Sequence, residues 1–129
     1  MVDFRSQRKP SSRAVSPMTQ QVATVVQHIP EGRVTTYGRI ALTIGSPRSA
    51  RIVGWTMSHL PESFDAPAHR VVNRVGELSG AHAWGAPEIM RDLLLGEGVP
   101  FIGEWQVDLP ACVWDPGDDD VLIDRLEKL

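Results

Sequence analysis

The chain has 129 residues, 42% of them hydrophobic and 22% charged, with a formal net charge of −3. This length and composition are typical of a globular protein with one domain and a modest core, and they exclude wholesale disorder. No stretch approaches the roughly 18 consecutive apolar residues of a membrane span, and the N-terminus lacks the apolar segment of a secretory signal. We therefore expect a cytoplasmic protein without a membrane partner.

The residue types give no support for cofactor or metal chemistry. The single cysteine, Cys112, excludes an internal disulfide and a cysteine-rich metal site. The four histidines are scattered without ligand spacing. We expect neither a metal nor another cofactor.

Charge is distributed unevenly along the chain. Residues 1–91 carry eleven basic and six acidic residues, whereas residues 92–129 carry two basic and ten acidic residues. An excess of basic residues in one part of a chain is typical of proteins with a face that binds nucleic acid. Solvated charge with an acidic tail that promotes solubility explains the same pattern, and composition does not decide between the two.

The chain begins with a predicted flexible arm, residues 1–15, which is polar and without hydrophobic period. The arm either adds phosphate contacts or is inert. The basic residues of the arm are Arg5, Arg8, Lys9 and Arg13.

A helix is then predicted from the cap Ser16 and from Pro17 at its first position, and it ends before Pro30.

A helix-turn-helix is predicted next. Thr35 or Thr36 can cap a second, short helix that begins near Tyr37 and is stopped by Gly45. Another Ser-Pro start signal predicts a third helix over residues 46–59. Two short helices joined by a tight connection with glycine are the sequence form of this motif.

The rest of the chain is predicted to be mixed. Residues 69–72 and 76–79, on either side of the turn Asn73–Gly76, are predicted to pair as a short β-hairpin. A fourth helix is predicted from Pro87 to about Gly96. Residues 99–103, 105–109 and 112–114 are expected to be extended or edge strands, and residues 113–129 an acidic C-terminal tail with a short amphipathic helix.

The third predicted helix carries a basic and aromatic face. Arg48, Arg51, Trp55 and Ser58 recur at spacings of three and four, so they share one side, while Ala50, Val53, Gly54 and Met57 can face the core. Such a face on the second helix of a helix-turn-helix suits contact with phosphates and base edges. A solvated arginine face accounts for the same spacing. Tyr37, at the first turn of the preceding helix, either touches a phosphate there or simply packs.

The stretch "PAHRV" resembles an active site without its nucleophile. Nucleophilic catalysis needs a cysteine or serine beside a base that a third group orients. His69 is a candidate base and Glu97 a candidate orienting group, but Ala68 precedes the histidine and a methyl side chain cannot attack carbon. The residues alone therefore favour a structural histidine.

Four motifs in fixed order reveal a family resemblance: "GRVTTYGRIA", "SPRSARIVGWTM", "PAHRVVNRVGEL" and "LLLGEGV". Together they closely resemble the DNA-binding domain of O6-alkylguanine-DNA alkyltransferases. More narrowly, they resemble the alkyltransferase-like proteins, which are short and lack the reactive cysteine. The repair enzymes have Pro-Cys-His-Arg-Val, in which the cysteine accepts the alkyl group, where this chain has Pro67-Ala68-His69-Arg70-Val71.

The resemblance implies a mainly α-helical α/β fold. We expect a single winged helix-turn-helix-like domain over residues 16–112, with a small β-hairpin or wing. The implied function is that of a non-enzymatic sensor, which contacts the minor groove, flips O6-alkylguanine out of double-stranded DNA and flags it for nucleotide excision repair. Its expected partners are the damaged duplex and proteins of that pathway, and we expect a monomer.

The resemblance also assigns residues. Ala68, His69 and Glu97 are then the remains of a catalytic site, so no residue is catalytic. Arg51 matches a finger that enters the base stack, and Tyr37 matches a residue that pushes on the neighbouring phosphate. The implied DNA contacts are Thr36, Tyr37, Arg48, Ser49, Ala50, Arg51 and Trp55. The implied lesion pocket comprises Pro67, Ala68, Arg70, Val71, Ser79, His82 and Trp84, with His82 or Trp84 in place of the arginine that stacks on the base in some relatives.

Two other classes of function remain as alternatives. A generic winged-helix regulator would bind sequence-specific sites and would be expected to form a dimer, for which the sequence offers no obvious coiled coil or dimerisation helix. An enzyme would show residual alkyl transfer through Cys112, or hydrolysis of the lesion by a water molecule that His69 activates.

Overall fold

The computed structural model describes residues 15–46, 48–79 and 87–129, with the exception of the side chain of Glu62. The basic arm up to residue 14 and the predicted pocket residues His82 and Trp84 lie outside the described residues. The helices are α1 (Pro17–Gln27), α2 (Tyr37–Thr43), α3 (Ala50–Ser58), α4 (Pro87–Gly96), α5 (Leu109–Cys112) and α6 (Asp120–Glu127). The strands are β1 (Thr35–Thr36), β2 (Val71–Val72), β3 (Phe101–Gly103) and β4 (Gln106–Val107). Short 3₁₀ helices span Glu62–Phe64, Ala68–Arg70 and Pro116–Asp118.

Helix α1 confirms the first predicted helix. The Ser16 side chain accepts a hydrogen bond from the Thr19 backbone N–H at 3.1 Å, and Pro17 follows it at the first helical position. Val22, Val25 and Val26 are fully buried, as the apolar spacing predicted. This helix supplies the centre of a core that also contains Ile40 and other residues of α2 and α3.

Helices α2 and α3 confirm the predicted helix-turn-helix. Thr36 caps α2, accepting from the Arg39 backbone N–H at 3.2 Å. The C-terminal end of α2 is a Schellman motif, in which Gly45 adopts a φ of +85°. The Gly45 N–H donates to Leu42 and the Ser46 N–H donates to Ala41 at 2.8 Å. The tight turn lets α3 pack against α2.

The third helix begins later than predicted. Ser46 was expected to start it, but α3 begins at Ala50 with Ser49 as its cap. The reason is that the Ser46 N–H is already used to close α2, and its carbonyl accepts a hydrogen bond from the Ser49 N–H at 2.9 Å. Arg48 therefore precedes α3 and is not part of it.

The predicted hairpin over residues 69–79 is wrong. Strand β2 pairs in parallel with β1, in the register Thr35–Val71 and Thr36–Val72. The turn at Asn73–Gly76 exists, but Glu77 forms an antiparallel bridge with Gln106. Val71 and Val72 are both fully buried, and a strand covered on both faces is typical of parallel pairing. The antiparallel hairpin is formed instead by β3 and β4.

The acidic segment 113–129 packs on the domain. The Trp114 N–H donates to the Val34 carbonyl at 2.7 Å, and Val113 forms a parallel bridge with Val34. Helix α6 buries Leu122 completely in the core around α1. The sequence predicted this helix but did not predict α5, which has only four residues.

Strand β2 lies between two core clusters. Val71 belongs to the cluster of α1, α2 and α3, whereas Val72 belongs to a second cluster with Met90 and Leu94 of α4. Successive side chains of a strand point to opposite faces, so β2 joins the two halves of the domain. Within the part of the chain that the structure describes, no helix is long and apolar enough to cross a membrane.

Candidate nucleic-acid interface

His69, Arg70 and Glu97 form a compact network at the entrance to β2. The His69 Nε2 atom lies 2.7 Å from Glu97 Oε2, and Arg70 donates to the same carboxylate from Nε at 3.0 Å and from Nη2 at 2.8 Å. A backbone donor, the Gly32 N–H, reaches Glu97 Oε1 at 3.2 Å. Arg70 Nη1 also donates to the Ile29 carbonyl at 2.8 Å, which ties the network to the end of α1. We call these residues the Glu97 network.

The local sequence around Glu97 explains its position. Helix α4 ends in a second Schellman motif, in which Gly98 adopts a φ of +85°. The Gly98 N–H donates to the Leu95 carbonyl at 3.0 Å, and the Val99 N–H donates to the Leu94 carbonyl at 3.1 Å. Val99 and Leu94 share the second core cluster, as expected for this cap. Glu97 is therefore held at the helix end, next to His69 and Arg70.

The Glu97 network stabilises the charged form of its carboxyl group. Burial alone would raise the pKa of Glu97, but hydrogen bonds from Arg70, His69 and the Gly32 backbone outweigh it and lower the pKa to about 2. The Arg70 and Glu97 side chains are only 16% and 13% exposed. The carboxylate is fixed by several donors at once, as an orienting group for the histidine would be.

A cavity of about 420 Å³ lies beside Ala68. Its size falls in the range of about 300–1,000 Å³ that is typical of small-molecule sites. The end of α3 forms one part of its wall and the segment from Leu60 to His69 forms the rest. The lining residues are Met57, Ser58, Leu60, Pro61, Asp65, Ala66, Ala68 and His69. We call this space the Ala68 cavity.

The structure places the predicted pocket residues in several different surroundings. Ala68 lines the cavity, whereas Arg70 is bound to Glu97 and Val71 is fully buried in the core. Pro67 directly precedes Ala68 and is half-buried. Ser79 is exposed and borders a separate cavity with Trp105 and Gln106.

Sequence reasoning missed most of the cavity wall. Met57 was expected to face the core, and it does pack against the core while also lining the cavity. Residues 60–67 form a turn-rich segment without hydrophobic period, so no pattern indicated which of its side chains point inward. The one indication in the sequence was Ser58, which was predicted on the basic face of α3 and lies where that face reaches the cavity.

The predicted basic face of α3 is exposed. Arg51 is exposed, and Trp55 is 63% exposed while its ring stacks on His59 with 4.0 Å between centroids. Arg48 is exposed in the turn before α3. Ser49 caps α3 without a side-chain hydrogen bond to the helix, and Ala50 is half-buried beside it. The face therefore runs from the turn along α3 to Ser58 at the cavity.

Thr36 and Tyr37 are less accessible than α3. Thr36 is 2% exposed because its hydroxyl caps α2. The Tyr37 ring packs against the core and lies close to Gly54 of α3, where an added Cβ would come within 3.8 Å of it. Burial raises the pKa of Tyr37, and a hydrogen bond with the Ser79 side chain partly offsets the increase. Tyr37 therefore packs against the core with its ring and keeps a protonated phenol.

Cys112 is unsuited to replace the missing nucleophile. It is 2% exposed in the second core cluster, and its thiol lies 3.2 Å from the Asp108 carbonyl. Burial and then the Asp108 charge raise the pKa of this thiol, despite an opposing effect of Arg33. A reactive cysteine needs the opposite, an exposed thiol with a lowered pKa.

Among the described residues, no group of three or more His, Cys, Asp or Glu side chains could hold a metal ion.

The helix-turn-helix and its exposed basic face define a DNA-binding domain, and comparison with known proteins assigns its family. The family model described as "6-O-methylguanine DNA methyltransferase, DNA binding domain" matches residues 17–99. The chain belongs to this family.

Its relatives include short proteins of the alkyltransferase-like kind. The "DNA base-flipping protein" of Escherichia coli is 46% identical over 98 residues, which cover 74% of this chain and 73% of that protein. "Alkyltransferase-like protein 1" of Schizosaccharomyces pombe is 38% identical over 100 residues, which cover 74% of this chain and 93% of that protein. The likeness to both confirms the resemblance inferred from the four motifs.

Solved structures show the same fold. The crystal structure of S. pombe Atl1 with damaged DNA containing O6-carboxymethylguanine matches with a TM-score of 0.67 and 37% identity, over 75% of this chain and 94% of that one. The O6-methylguanine methyltransferase of Mycobacterium tuberculosis matches with a TM-score of 0.54 and 34% identity, over 64% of this chain and 48% of that one. The expected single α/β domain, mainly helical, is thereby confirmed.

Proposed function

We propose that the chain is a non-enzymatic sensor that binds O6-alkylguanine in duplex DNA and holds it without accepting the alkyl group. One observation carries this proposal. Ala68 lines a cavity next to His69, which is bound to Glu97. By the resemblance of the "PAHRV" motif, Ala68 stands at the position of the cysteine in the repair enzymes. The surroundings that would activate a thiolate are present, but alanine has no atom that can attack the alkyl carbon.

The exposed face of α3 supports contact with DNA. Arg51 and Trp55 lie on the same face as Ser58, and Ser58 lines the Ala68 cavity. We infer that Arg51 enters the base stack at the minor groove while the flipped nucleotide moves toward the cavity. Extrusion of a base costs a few kcal/mol, and it costs less for an alkylated guanine whose pairing is already weakened. That difference favours damaged over intact DNA.

Tyr37 is the proposed phosphate contact of the helix-turn-helix. It lies at the first residue of α2, where backbone N–H groups point away from the helix. A tyrosine phenol is protonated at neutral pH, and burial raises the pKa of Tyr37 further, so its hydroxyl can donate to a phosphate oxygen. Arg48 and Ser49, in the turn before α3, supply further contacts of the same kind.

We infer that the bound lesion is passed to nucleotide excision repair, because a protein that holds damage without changing it must act through others. A monomer is sufficient for this role, since one helix-turn-helix and one cavity accommodate one flipped nucleotide. Incision of a duplex with one O6-methylguanine by a purified excision-repair system, with and without the chain, tests this step. The rate should rise with the wild-type chain and should not rise with Arg51→Ala.

Fluorescence anisotropy provides the test of lesion recognition. Two duplexes at the same salt concentration would differ only in one O6-methylguanine replacing guanine, because affinity for DNA depends steeply on salt. A preference of about tenfold or more for the alkylated duplex, roughly 1.4 kcal/mol, is expected. Equal affinity would instead favour a generic helix-turn-helix DNA binder.

Intact mass spectrometry after the same incubation tests the absence of alkyl transfer. The mass of the wild-type chain should remain unchanged, and the O6-methylguanine should be recovered intact from the DNA. A gain of one methyl group would contradict the proposal and point to Cys112. Loss of the lesion without a protein adduct would indicate hydrolysis.

A further inference from the structure

The Ala68 cavity carries one acidic side chain among its described lining residues, Asp65. Most of the wall is apolar, and Ser58 and His69 are the other polar members. His69 is held by the Glu97 carboxylate at 2.7 Å. The Asp65 carboxylate makes no hydrogen bond or ion pair with the described part of the chain. A group that enters the cavity therefore meets a carboxylate that forms no ion pair with a lysine or arginine of the described residues.

The backbone holds Asp65 in place. Its φ of +49° lies in the left-handed region, which non-glycine residues adopt at a cost. Both neighbours are anchored, since the Phe64 carbonyl accepts from Gln27 Nε2 at 2.6 Å and Ala66 packs against the first core cluster. The Ala68 N–H also donates to the Ala66 carbonyl at 2.8 Å. The position of Asp65 at the cavity is therefore set by packing and hydrogen bonds on both sides of it.

We propose that Asp65 makes the cavity selective for the charge of the O6-alkyl group, disfavouring anionic groups and favouring neutral or cationic ones. This inference rests on the proposed function, in which the alkyl group of a flipped guanine enters the Ala68 cavity. Like charges repel, and because the Asp65 side chain is exposed at the edge of the cavity, water and salt screen part of this repulsion. The apolar wall formed by Met57, Leu60 and Ala66 accepts the carbon chain of either adduct equally, so charge is the discriminating property.

The experiment compares adducts that differ in charge but hardly in shape. Three duplexes would carry O6-carboxymethylguanine, O6-carbamoylmethylguanine or O6-(2-aminoethyl)guanine at one position, and a fourth would carry guanine. Dissociation constants at low ionic strength would be measured for the wild-type chain and for Asp65→Asn, because salt screens the effect. Asparagine matches the size of aspartate and tolerates the left-handed conformation. Asp92→Asn, on exposed α4 outside the cavity wall, controls for net charge.

We expect the wild-type chain to bind the carbamoylmethyl duplex roughly fivefold more tightly than the carboxymethyl duplex. Asp65→Asn should reduce that ratio to near one and remove any preference for the aminoethyl adduct, while Asp92→Asn should retain both. If all three adduct duplexes bind more tightly than the guanine duplex, but Asp65→Asn leaves the ratios of their dissociation constants unchanged, the proposal for Asp65 is wrong. The proposed function would still stand in that case. Equal affinity for all four duplexes would instead overturn the proposed function.

Discussion

The Glu97 network and the exposed face of α3 belong to the same site but are built in different ways. In the network, one carboxylate receives hydrogen bonds from His69, Arg70 and the Gly32 backbone, and the ion pair is mostly buried. On α3, Arg51 is exposed, and Trp55 is 63% exposed with its ring stacked on His59 at the end of the helix. The network is arranged to hold the fold in place, whereas the α3 face is available to a partner. Substitutions in the two regions should therefore affect different measurements.

Glu97→Gln should give the largest effect on stability. The pKa of Glu97 is about 2 in the folded chain and about 4.3 in an unfolded one, so its ionisation contributes about 3 kcal/mol to the free energy of unfolding at pH 7. Because the folded pKa is the lower one, this contribution is complete above about pH 4.5. It is lost as the pH falls toward 2. Urea unfolding of wild type and variant at a series of pH values measures the difference.

A matched control for this prediction is the exposed ion pair between Asp124 of α6 and Lys128 just after that helix, whose side chains are 64% and 71% exposed. Asp124→Asn should cost less than about 0.5 kcal/mol, as is usual for exposed pairs on a helix. The gap between wild type and Glu97→Gln should narrow between pH 5 and pH 2. A gap that stays constant over that interval would show that the carboxylate is not the source of the stabilisation.

Glu97→Gln is expected to lower stability, whereas Arg51→Ala should weaken DNA binding and leave stability unchanged. Affinity for a duplex with O6-methylguanine should fall by about 1–3 kcal/mol, as expected for a contact in the base stack. The free energy of unfolding should change by less than about 0.5 kcal/mol, since the residue is exposed. Anisotropy and urea unfolding on the same preparation measure both. Arg125→Ala, in exposed α6, removes the same charge elsewhere and should leave the lesion preference intact.

Two glycines at the end of α4 test how Glu97 is positioned. Gly98→Ala should cost about 1 kcal/mol of stability, because the residue has a φ of +85° although the space around it is open. Gly96→Ala, also in open space but without a positive φ, should be neutral or stabilising by up to about 1 kcal/mol. Thermal or urea unfolding of the two variants compares them directly. Equal effects would mean that the left-handed cap does not determine where α4 ends.

The helices were predictable from sequence because their signals are local. Ser16-Pro17 begins α1, Thr36 caps α2 and Gly45 ends it, and each signal acts through residues that are at most a few positions apart. The resemblance of the four motifs placed Ala68 beside His69 and Glu97, and the structure brings these residues together. Local chemistry and ordered motifs were sufficient for this part of the site.

The strand pairing and the cavity wall were not predictable, because they depend on distant contacts. Residues 71–72 pair with residues 35–36, across more than 30 intervening residues, and an adjacent turn made a local hairpin the simpler expectation. Asp65 lines the cavity in a segment that a distant residue, Gln27 of α1, helps to anchor through the Phe64 carbonyl. Neither contact leaves a periodic pattern in the sequence.

Tyr37→Phe should give the smallest effect on binding, a loss of about 0.5–1.5 kcal/mol, which is the usual net contribution of a single hydrogen bond. Stability should hardly change, since the ring keeps its contacts with the core and with Gly54. Ser79→Ala separates two explanations, because the Ser79 side chain interacts with the phenol and lowers its pKa in the absence of DNA. If Ser79→Ala leaves affinity unchanged, the phenol acts directly on DNA. An equal loss of affinity in Tyr37→Phe and Ser79→Ala would show that Ser79 is needed to orient the phenol. If Tyr37→Phe loses more affinity than Arg51→Ala, Tyr37 and not Arg51 is the principal contact.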